Sequence, residues 1–209
     1  MPKRGKFIVL EGGEGSGKTT CLNYLKEHLA GELAIYTREP GGTPLGQKLR
    51  VVLLEKGEGD LDPLAEMLLF VAGRAEHVKQ VIAPALAAGQ HVICDRFAAS
   101  TYAYQIVANK RPEWEELFND LHHAILKEAE PDLYLVFDLD PKIGLARVGE
   151  RRGESTRFDD KELPYHERVR QGLLTFARRA KGHQIIEANQ PAAIVRAVAL
   201  KAIQEIIKL

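Results

Sequence analysis

Residues 12–19 form a glycine-rich loop between a predicted strand and a predicted helix, and no other feature restricts the possible folds as much. The loop reads Gly-Gly-Glu-Gly-Ser-Gly-Lys-Thr and fits the nucleotide-phosphate pattern G-x-x-x-x-G-K-[ST]. Its glycines let backbone N–H groups turn towards an anion, and the positive end of the helix that follows favours negative charge. In such loops the lysine, here Lys18, reaches the β- and γ-phosphates, and the hydroxyl of Thr19 ligates Mg²⁺. The sequence therefore predicts a nucleotide-phosphate site.

The rest of the chain alternates short apolar runs with longer amphipathic stretches. The pair Asp62-Pro63 predicts the start of a long helix, and another helix is predicted over 97–108. Strands are predicted over 7–11, 33–37, 91–95, 133–138 and 184–188. Five strands separated by helices favour a doubly wound α/β fold, in which a parallel sheet is covered on both faces.

Composition excludes several classes of protein. The 209 residues include 29 Lys plus Arg and 29 Asp plus Glu, so the chain lacks the net basic charge typical of nucleic-acid binding. Two isolated cysteines exclude a disulfide scaffold and a CxxC zinc site, and the histidines show no metal spacing. No run approaches the ~18 apolar residues of a membrane helix. Because the apolar stretch of 7–10 is shorter than a secretory segment needs, we expect no signal peptide. We expect a reduced, cytoplasmic protein without nucleic-acid or membrane partners.

Further motifs separate the classes of phosphate-loop protein. A GTPase needs N-K-x-D, but residues 109–112 end in proline, which disfavours that class. A small kinase needs a second substrate pocket, and three clusters are candidates: 37–43, Phe70 with Arg74, and 95–105. Ligands of an open α/β sheet bind at the carboxyl ends of the strands, where the first and third clusters and the phosphate loop all lie. The sequence therefore favours a kinase cleft.

These motifs, in this order and spacing, resemble the bacterial type of thymidylate kinase. The matching segments are 10–15, Thr-Arg-Glu-Pro-Gly-Gly-Thr at 37–43, and Asp-Arg-Phe at 95–97 with Ser100 and the Ala-Tyr-Gln of 103–105. The resemblance covers nearly the whole chain. It implies a three-layer P-loop kinase fold with a five-stranded parallel sheet in the order 2-3-1-4-5, as a single domain over 1–209. It also implies a short arginine-rich lid at about 147–160.

The resemblance implies phosphoryl transfer from ATP to thymidine monophosphate (dTMP), giving the diphosphate and ADP for dTTP synthesis, with Mg²⁺ and in a homodimer. ATP is expected to contact Gly12, Gly13, Glu14, Gly15, Ser16, Gly17, Lys18, Thr19 and Thr20, and Mg²⁺ to lie at Thr19 and Asp95. Two alternatives remain open. One is a kinase for another nucleoside monophosphate on the same fold, and the other is an ATP-binding module without transfer activity.

The resemblance also implies an acceptor site. Phe70 would stack on thymine, Arg74 would bind its carbonyl, and Arg96 would hold the acceptor phosphate. Glu14 would lie on the 3′-hydroxyl side of the sugar, and Tyr104 would crowd its 2′ position. For Phe70 and Tyr104 the alternative is that the rings only pack in the core. The expected acceptor residues are Glu14, Glu39, Pro40, Arg50, Phe70, Arg74, Arg96, Ser100, Thr101, Tyr104 and Gln105.

Catalysis needs positive charge near the transferring group, which the phosphate-loop motif assigns to Lys18. The resemblance implies that Arg96 also contributes, and that Asp95 does so by organising Mg²⁺ and its waters. The phosphate loop holds no cation beyond Lys18, so further charge is expected from the arginines of 147–157. We favour Arg152 and Arg157, because Gly153 between them lets the segment fold inward, and Arg151 is the reserve. The family pattern has an Asp-Arg pair at the end of the lid, where this chain has Thr156-Arg157.

Overall fold

The five predicted strands pair into one parallel sheet at the centre of the fold. The computed structural model describes residues 3–29, 34–54, 61–127, 129–150 and 156–208. The strands are β1 (Phe7–Gly12), β2 (Ala34–Arg38), β3 (His91–Asp95), β4 (Leu133–Asp138) and β5 (His183–Glu187). Their order is β2-β3-β1-β4-β5, and each neighbouring pair is parallel. The expected α/β P-loop kinase fold and strand order are confirmed, and the carboxyl ends of the strands share one edge.

Helices cover both faces of the sheet. They are α1 (Lys18–His28), α2 (Pro44–Leu54), α3 (Pro63–His77), α4 (Ala83–Ala87), α5 (Ala98–Thr101), α6 (Glu115–Leu126), α7 (Pro141–Gly149), α8 (Leu163–Arg179) and α9 (Ala192–Lys208). Two π-helical segments, Val78–Ile82 and Tyr102–Ala108, and a 3₁₀ turn at Pro112–Trp114 complete the helical structure described. None of the described helices combines the length and apolar character that crossing a membrane requires.

Strand β1 shows why the sheet needs two covered faces. Phe7 and Val9 belong to one core, packed with residues of α3, α5 and α8, whereas Ile8 and Leu10 belong to the other, packed with α1 and α9. All four side chains are completely buried. Burial on both faces is the usual state of a parallel strand, and it explains the unbroken apolar run. Because β1 is central, the loop that follows it is held at the middle of the sheet edge.

Helix α3 begins as its sequence predicts. The Asp62 carboxylate accepts hydrogen bonds from the N–H groups of Leu64 and Ala65, each at 3.0 Å, and Pro63 occupies the first helical position. This N-cap satisfies backbone donors that the first turn leaves free. The helix continues through the π-helical segment Val78–Ile82 into α4. Its long straight run places Phe70 and Arg74 on one face, four residues apart.

The helix predicted over 97–108 forms in an altered geometry. Only Ala98–Thr101 is α-helical, and the chain then widens into the π-helical segment Tyr102–Ala108. Helix α8 lies unusually close to this segment, since a Cβ atom on Gly172 would stand 2.7 Å from the Cα atom of Ala103. Such widened turns occur often at functional sites. Here the wide turn lets two successive residues, Tyr104 and Gln105, both face the same cleft.

Candidate active site

A cleft of about 970 Å³ opens along the carboxyl edge of β1, β2 and β3. It brings together residues of the phosphate loop, the segment after β2, helices α2 and α3, and the segment after β3. The sequence-predicted residues that line it are Glu14, Gly15, Ser16, Gly17, Lys18, Thr19, Glu39, Pro40, Arg50, Phe70, Arg74, Asp95, Arg96, Ser100, Thr101, Tyr104 and Gln105. Gly12, Gly13, Thr20 and Arg157 are not part of this lining.

The phosphate loop folds around the amine of Lys18. Lys18 Nζ donates to the carbonyl oxygens of Gly12 at 2.7 Å and Gly13 at 3.0 Å, and to Ser16 Oγ at 3.2 Å. Gly15 and Gly17 adopt φ values of 67° and 86°, in the left-handed region that glycine enters without strain. Helix α1 begins at Lys18, so its N-terminal end points at the loop. The loop thus holds its lysine and its helix dipole ready for an anion.

Helix α7 closes the loop from behind. A Cβ atom on Gly144 would lie 2.3 Å from the carbonyl oxygen of Glu14, and one on Gly15 would lie 2.2 Å from the oxygen of Gly144. Arg147 Nη1, on the same helix, donates to the Gly15 carbonyl at 3.4 Å. The two backbones are therefore in direct contact, and position 144 has no room for a side chain.

Glu11 is a buried carboxylate that the sequence did not identify as part of the site. It accepts hydrogen bonds from the N–H of Phe97 at 2.8 Å, the N–H of Ser100 at 3.1 Å and Ser100 Oγ at 2.7 Å. Complete burial raises the pKa of Glu11 against the opposing effects of Ser100 and Arg96. The carboxylate fixes the start of α5 to β1, and so fixes the backbone of Arg96, whose φ of 68° is rare for a residue with a side chain.

Arg96, Glu14 and Tyr104 form a closed hydrogen-bonded group at the centre of the cleft. Arg96 Nη2 donates to Glu14 Oε1 at 3.0 Å, the Tyr104 hydroxyl donates to the same oxygen at 2.5 Å, and Arg96 Nη1 donates to the Tyr104 oxygen at 3.2 Å. Burial raises the pKa of Glu14, but Arg96, Lys18 and Tyr104 together outweigh it and leave that pKa below its usual value. Glu14 therefore compensates the charge of the Arg96 guanidinium. An anionic substrate bound to Arg96 would take over that role.

Arg74 is held rigidly on the floor of the cleft and is only 3% exposed. Its Nε donates to Glu39 Oε2 and its Nη2 to Thr101 Oγ1, both at 2.9 Å, while the guanidinium lies 4.9 Å from the ring centre of Phe97. His77 Nδ1 lies 3.0 Å from the other oxygen of Glu39. Glu39 thus fixes the direction of Arg74, a role that was not predicted from the sequence.

The last part of the predicted lid is docked on α2 and α3. Arg157 Nε donates to the carbonyl oxygen of Leu53 at 2.6 Å, and its Nη2 pairs with Glu66. The ring of Phe158 meets that of Tyr104 edge to face, with centroids 5.5 Å apart. Thr156, at the position of the acid in the family pattern, donates to Asp159 through both its backbone N–H and its hydroxyl. Arg151 and Arg152 lie outside the described residues.

The oxygen donors beside the phosphate loop suit a magnesium ion. Among the described residues, buried Asp95 Oδ1 has no hydrogen-bond partner, and the hydroxyl-bearing Thr19 lines the same cleft. The described part of the chain contains no cluster of three or more metal-ligating side chains. One carboxylate and one hydroxyl fit Mg²⁺, which keeps several waters and binds mainly through substrate phosphates.

Four further residues line the cleft that were not named singly as site residues: Leu54, Phe97, Thr156 and Phe158. Phe97 belongs to the cluster 95–105 that was predicted to form the substrate pocket, and Thr156 and Phe158 belong to the predicted lid. Nothing in the local sequence indicates that Leu54 would reach the cleft.

Comparisons with known proteins agree on one family. A family model for thymidylate kinase matches residues 10–198. A thymidylate kinase from Desulforapulum autotrophicum is 46% identical over 179 residues, which cover 82% of this chain and 78% of the relative. One from Magnetococcus marinus is 41% identical over 204 residues, or 96% of each chain. A crystal structure of thymidylate kinase from Ehrlichia chaffeensis superposes with a TM-score of 0.75 at 31% identity, covering 96% of this chain and 99% of that one. The chain belongs to the thymidylate kinase family.

Proposed function

We propose that the cleft transfers the γ-phosphoryl group of ATP to dTMP, with the residues described above in the roles that follow. Membership of the thymidylate kinase family makes the chain an ATP-dependent transferase whose product serves dTTP synthesis. One observation carries the assignment of roles. The phosphate-loop lysine, a second cation at Arg96, and the pair Phe70 and Arg74 line the same cleft. Two anionic substrates and one flat base need this combination of groups.

The donor binds at the phosphate loop, from Gly12 to Thr20. Lys18 exchanges its carbonyl partners for the β- and γ-phosphates, and the N–H groups at the start of α1 face the same oxygens. Arg96 and Arg50 bind the acceptor phosphate as charge-assisted donors. When Arg96 takes the phosphate, Glu14 is released towards the 3′ side of the sugar. Positioning and charge neutralisation supply the catalysis, and the enzyme forms no covalent intermediate.

The acceptor base lies between Phe70 and the buried polar residues of α3 and the π-helical segment. Phe70 offers a ring face, and Arg74, oriented by Glu39, donates to a thymine carbonyl. Pro40, Ser100, Thr101 and Gln105 complete the wall of this pocket. Tyr104 occupies the side from which a 2′-hydroxyl would approach. A deoxyribonucleotide is therefore the preferred acceptor.

Thr19 and Asp95 are the residues that would hold Mg²⁺ together with phosphate oxygens and water. When bound, the ion would neutralise charge on the phosphates. The unpartnered, buried Oδ1 of Asp95 supports this assignment, because such an oxygen needs a compensating donor or cation.

We assign the charge that develops on the transferring group to the lid, residues 147–160 of a single catalytic domain, and within it to Arg152 and Arg157. Arg157 has to leave Leu53 and Glu66 before it can serve. Single alanine variants at 147, 151, 152 and 157 should therefore separate into one or two enzymes with kcat about 10³-fold lower, roughly 4 kcal/mol, and the rest near normal. ATP affinity should stay within a few-fold. If all four retain kcat within threefold, the charge comes from Arg38, Arg50 or Arg96 instead.

A panel of acceptors tests the function as a whole. The protein is incubated with ATP, Mg²⁺ and one nucleoside monophosphate at a time, and both ADP and the nucleoside diphosphate are measured. We expect kcat/KM for dTMP to exceed that for purine and cytosine monophosphates by at least about 100-fold, which corresponds to two tenfold steps of 1.4 kcal/mol. Preference for another monophosphate would identify a different kinase, and ATP binding without diphosphate formation would identify a binding module.

We also propose that the protein is a cytoplasmic homodimer. Helix α2 exposes Leu45, Val51 and Val52, and α3 exposes Leu68, with 42–53% of each residue accessible. The two helices pack against each other, since a Cβ atom on Gly73 would lie 3.2 Å from Leu49. Several exposed apolar side chains on two helices that pack together are what a protein interface would use. Both cysteines are buried free thiols, as a reducing compartment allows.

A further inference from the structure

We infer that Glu66 is a positioning residue that fixes the direction of the Gln105 amide, and that this makes Gln105 the group that distinguishes thymine from cytosine. The inference rests on the proposed function, because it concerns how the same cleft reads its acceptor base. It assigns a task to a carboxylate that does not itself line the cleft.

The amide of Gln105 has one partner within the described residues. Its Nε2 donates to Glu66 Oε1 at 2.7 Å, and the residue is only 1% exposed although it lines the cleft. A carboxylate accepts hydrogen bonds and donates none, so only the NH₂ end of the amide can face Glu66. The carbonyl oxygen of Gln105 is therefore left for the substrate. Because Gln105 lines the cleft, this oxygen is available to a ligand that donates a hydrogen bond.

The other oxygen of Glu66 contacts the lid. Glu66 is 5% exposed on α3, and its second oxygen pairs with Nη2 of Arg157. A buried carboxylate is tolerated when a cation compensates its charge. Arg157 is itself fixed by the carbonyl oxygen of Leu53 at the end of α2, where helix carbonyls lack partners. Arg157 contacts Oε2 of Glu66 and Gln105 contacts Oε1, so the contact between Glu66 and Gln105 can persist when Arg157 turns to the transferring group.

Beside Gln105, Arg74 presents the opposite polarity. Its Nε and Nη2 are engaged by Glu39 and Thr101, which leaves Nη1 as a donor. The pocket therefore offers a donor from Arg74 and an acceptor from Gln105. Thymine carries an acceptor at O4 and a donor at N3–H, whereas cytosine carries a donor at N4 and an acceptor at N3. Thymine satisfies both contacts. Cytosine would instead place its donor against the Arg74 donor and its acceptor against the Gln105 acceptor. Sites that hydrogen-bond their substrate reject mismatched analogues strongly, because buried groups lose their partners.

The alternative is that Glu66 is purely structural and only anchors Arg157, and this alternative leads to a different prediction. Its loss would weaken turnover of every acceptor to the same extent. Discrimination between bases separates the two roles. The matched control is Glu76→Gln: Glu76 lies on the same helix, accepts from the amide of Gln80 in the same way, and does not line the cleft.

The experiment compares Glu66→Gln, Gln105→Met, the double variant and Glu76→Gln by kcat/KM for dTMP and for dCMP. In Glu66→Gln the new amide can donate to Gln105, so its NH₂ end can turn into the cleft. The dTMP/dCMP ratio should fall at least tenfold in each single variant, or 1.4 kcal/mol, and no further in the double variant. KM for ATP should stay within twofold, and Glu76→Gln should keep the wild-type ratio.

Equal losses for dTMP and dCMP in Glu66→Gln, or additive losses in the double variant, would overturn the inference. If Glu66→Gln fails to fold, Gln105→Met decides with N3-methyl-dTMP, which lacks the N3–H donor. The wild type should discriminate against this analogue and Gln105→Met should do so at least tenfold less, whereas unchanged discrimination overturns the inference. A wild-type protein that does not phosphorylate dTMP contradicts the proposed function instead.

Discussion

At Lys18, burial opposes the charge that the reaction needs. Burial, with a smaller contribution from Arg96, lowers the pKa of Lys18 to about 8, although nearby carboxylates act in the opposite direction. In the unfolded chain this pKa is about 10.4. Between these two values the unfolded state binds more protons than the folded one, so stability rises with pH. Below pH 8 the folded protein bears the full cost of a buried ammonium group, which the phosphates of ATP are suited to offset.

Lys18→Met should therefore stabilise the protein while it abolishes the reaction. At pH 7 we expect the free energy of unfolding in urea to increase by up to about 3 kcal/mol, and the gain to shrink as the pH approaches 10. Turnover should fall far below a tenth of the wild-type value, and Lys48→Met on the exposed face of α2 should change neither property. A variant that keeps more than a tenth of its activity would contradict the role of Lys18, and a gain that does not vary with pH would contradict its burial cost.

Tyr104 offers a second test at the scale of one residue. Its hydroxyl bonds Glu14 and Arg96, while its ring packs edge to face against Phe158. If the ring crowds the 2′ position, Tyr104→Phe should keep the preference for deoxyribose acceptors, and Tyr104→Ala should relax it about tenfold or more. The measurement is the ratio of kcat/KM for dTMP and its ribose counterpart. An unchanged ratio in the alanine variant would assign the ring to packing alone.

At the scale of elements, the phosphate loop depends on a helix that follows it by more than 120 residues in the chain. Helix α7 touches the loop through Gly144, where a Cβ atom would stand 2.3 Å from the Glu14 carbonyl oxygen. Two backbones cannot separate without moving the loop. Gly144→Ala should therefore lower kcat/KM at least tenfold and raise KM for ATP. Gly149→Ala, on the same helix but with open space around the added methyl group, should behave as the wild type. Equal behaviour of the two variants would show that the loop tolerates the shift.

The elements that short stretches of sequence define were predicted from the sequence. The phosphate loop, the Asp62 cap and the five strands each carry their signal within a few residues, and the strands and the cap are confirmed. Contacts between distant elements left no such signal. Glu11 and Glu66 are single carboxylates in apolar surroundings, and only the folded chain shows that they bond Ser100 and Gln105. The π-helical geometry of Tyr102–Ala108, against which α8 packs closely at Gly172, likewise has no local pattern that predicts it.

At the scale of the whole molecule, the strand order decides which groups can meet. Because β1 lies between β3 and β4, the loop after β1 has the Asp95-Arg96 segment on one side and α7 on the other. β2 lies beyond β3, so Glu39 reaches the far end of the same cleft. The proposed donor and acceptor sites are thus adjacent through the topology, and α2 and α3 would close the acceptor side. The surface that these two helices turn outward is the exposed apolar patch of Leu45, Val51, Val52 and Leu68.

A dimer formed through that patch would support the acceptor site directly. Helix α2 contributes Arg50 and Leu54 to the cleft, and its Leu53 carbonyl holds Arg157. Light scattering should give the wild-type protein twice the 23.3 kDa mass of the chain. Val52→Lys should reduce the mass to that of one chain and raise KM for dTMP several-fold, because α2 then loses its outer support. Ile194→Lys, at a residue 50% exposed on α9 across the sheet, should leave both values unchanged. A wild-type protein of single-chain mass would exclude the dimer, and a Val52→Lys dimer would place its interface elsewhere.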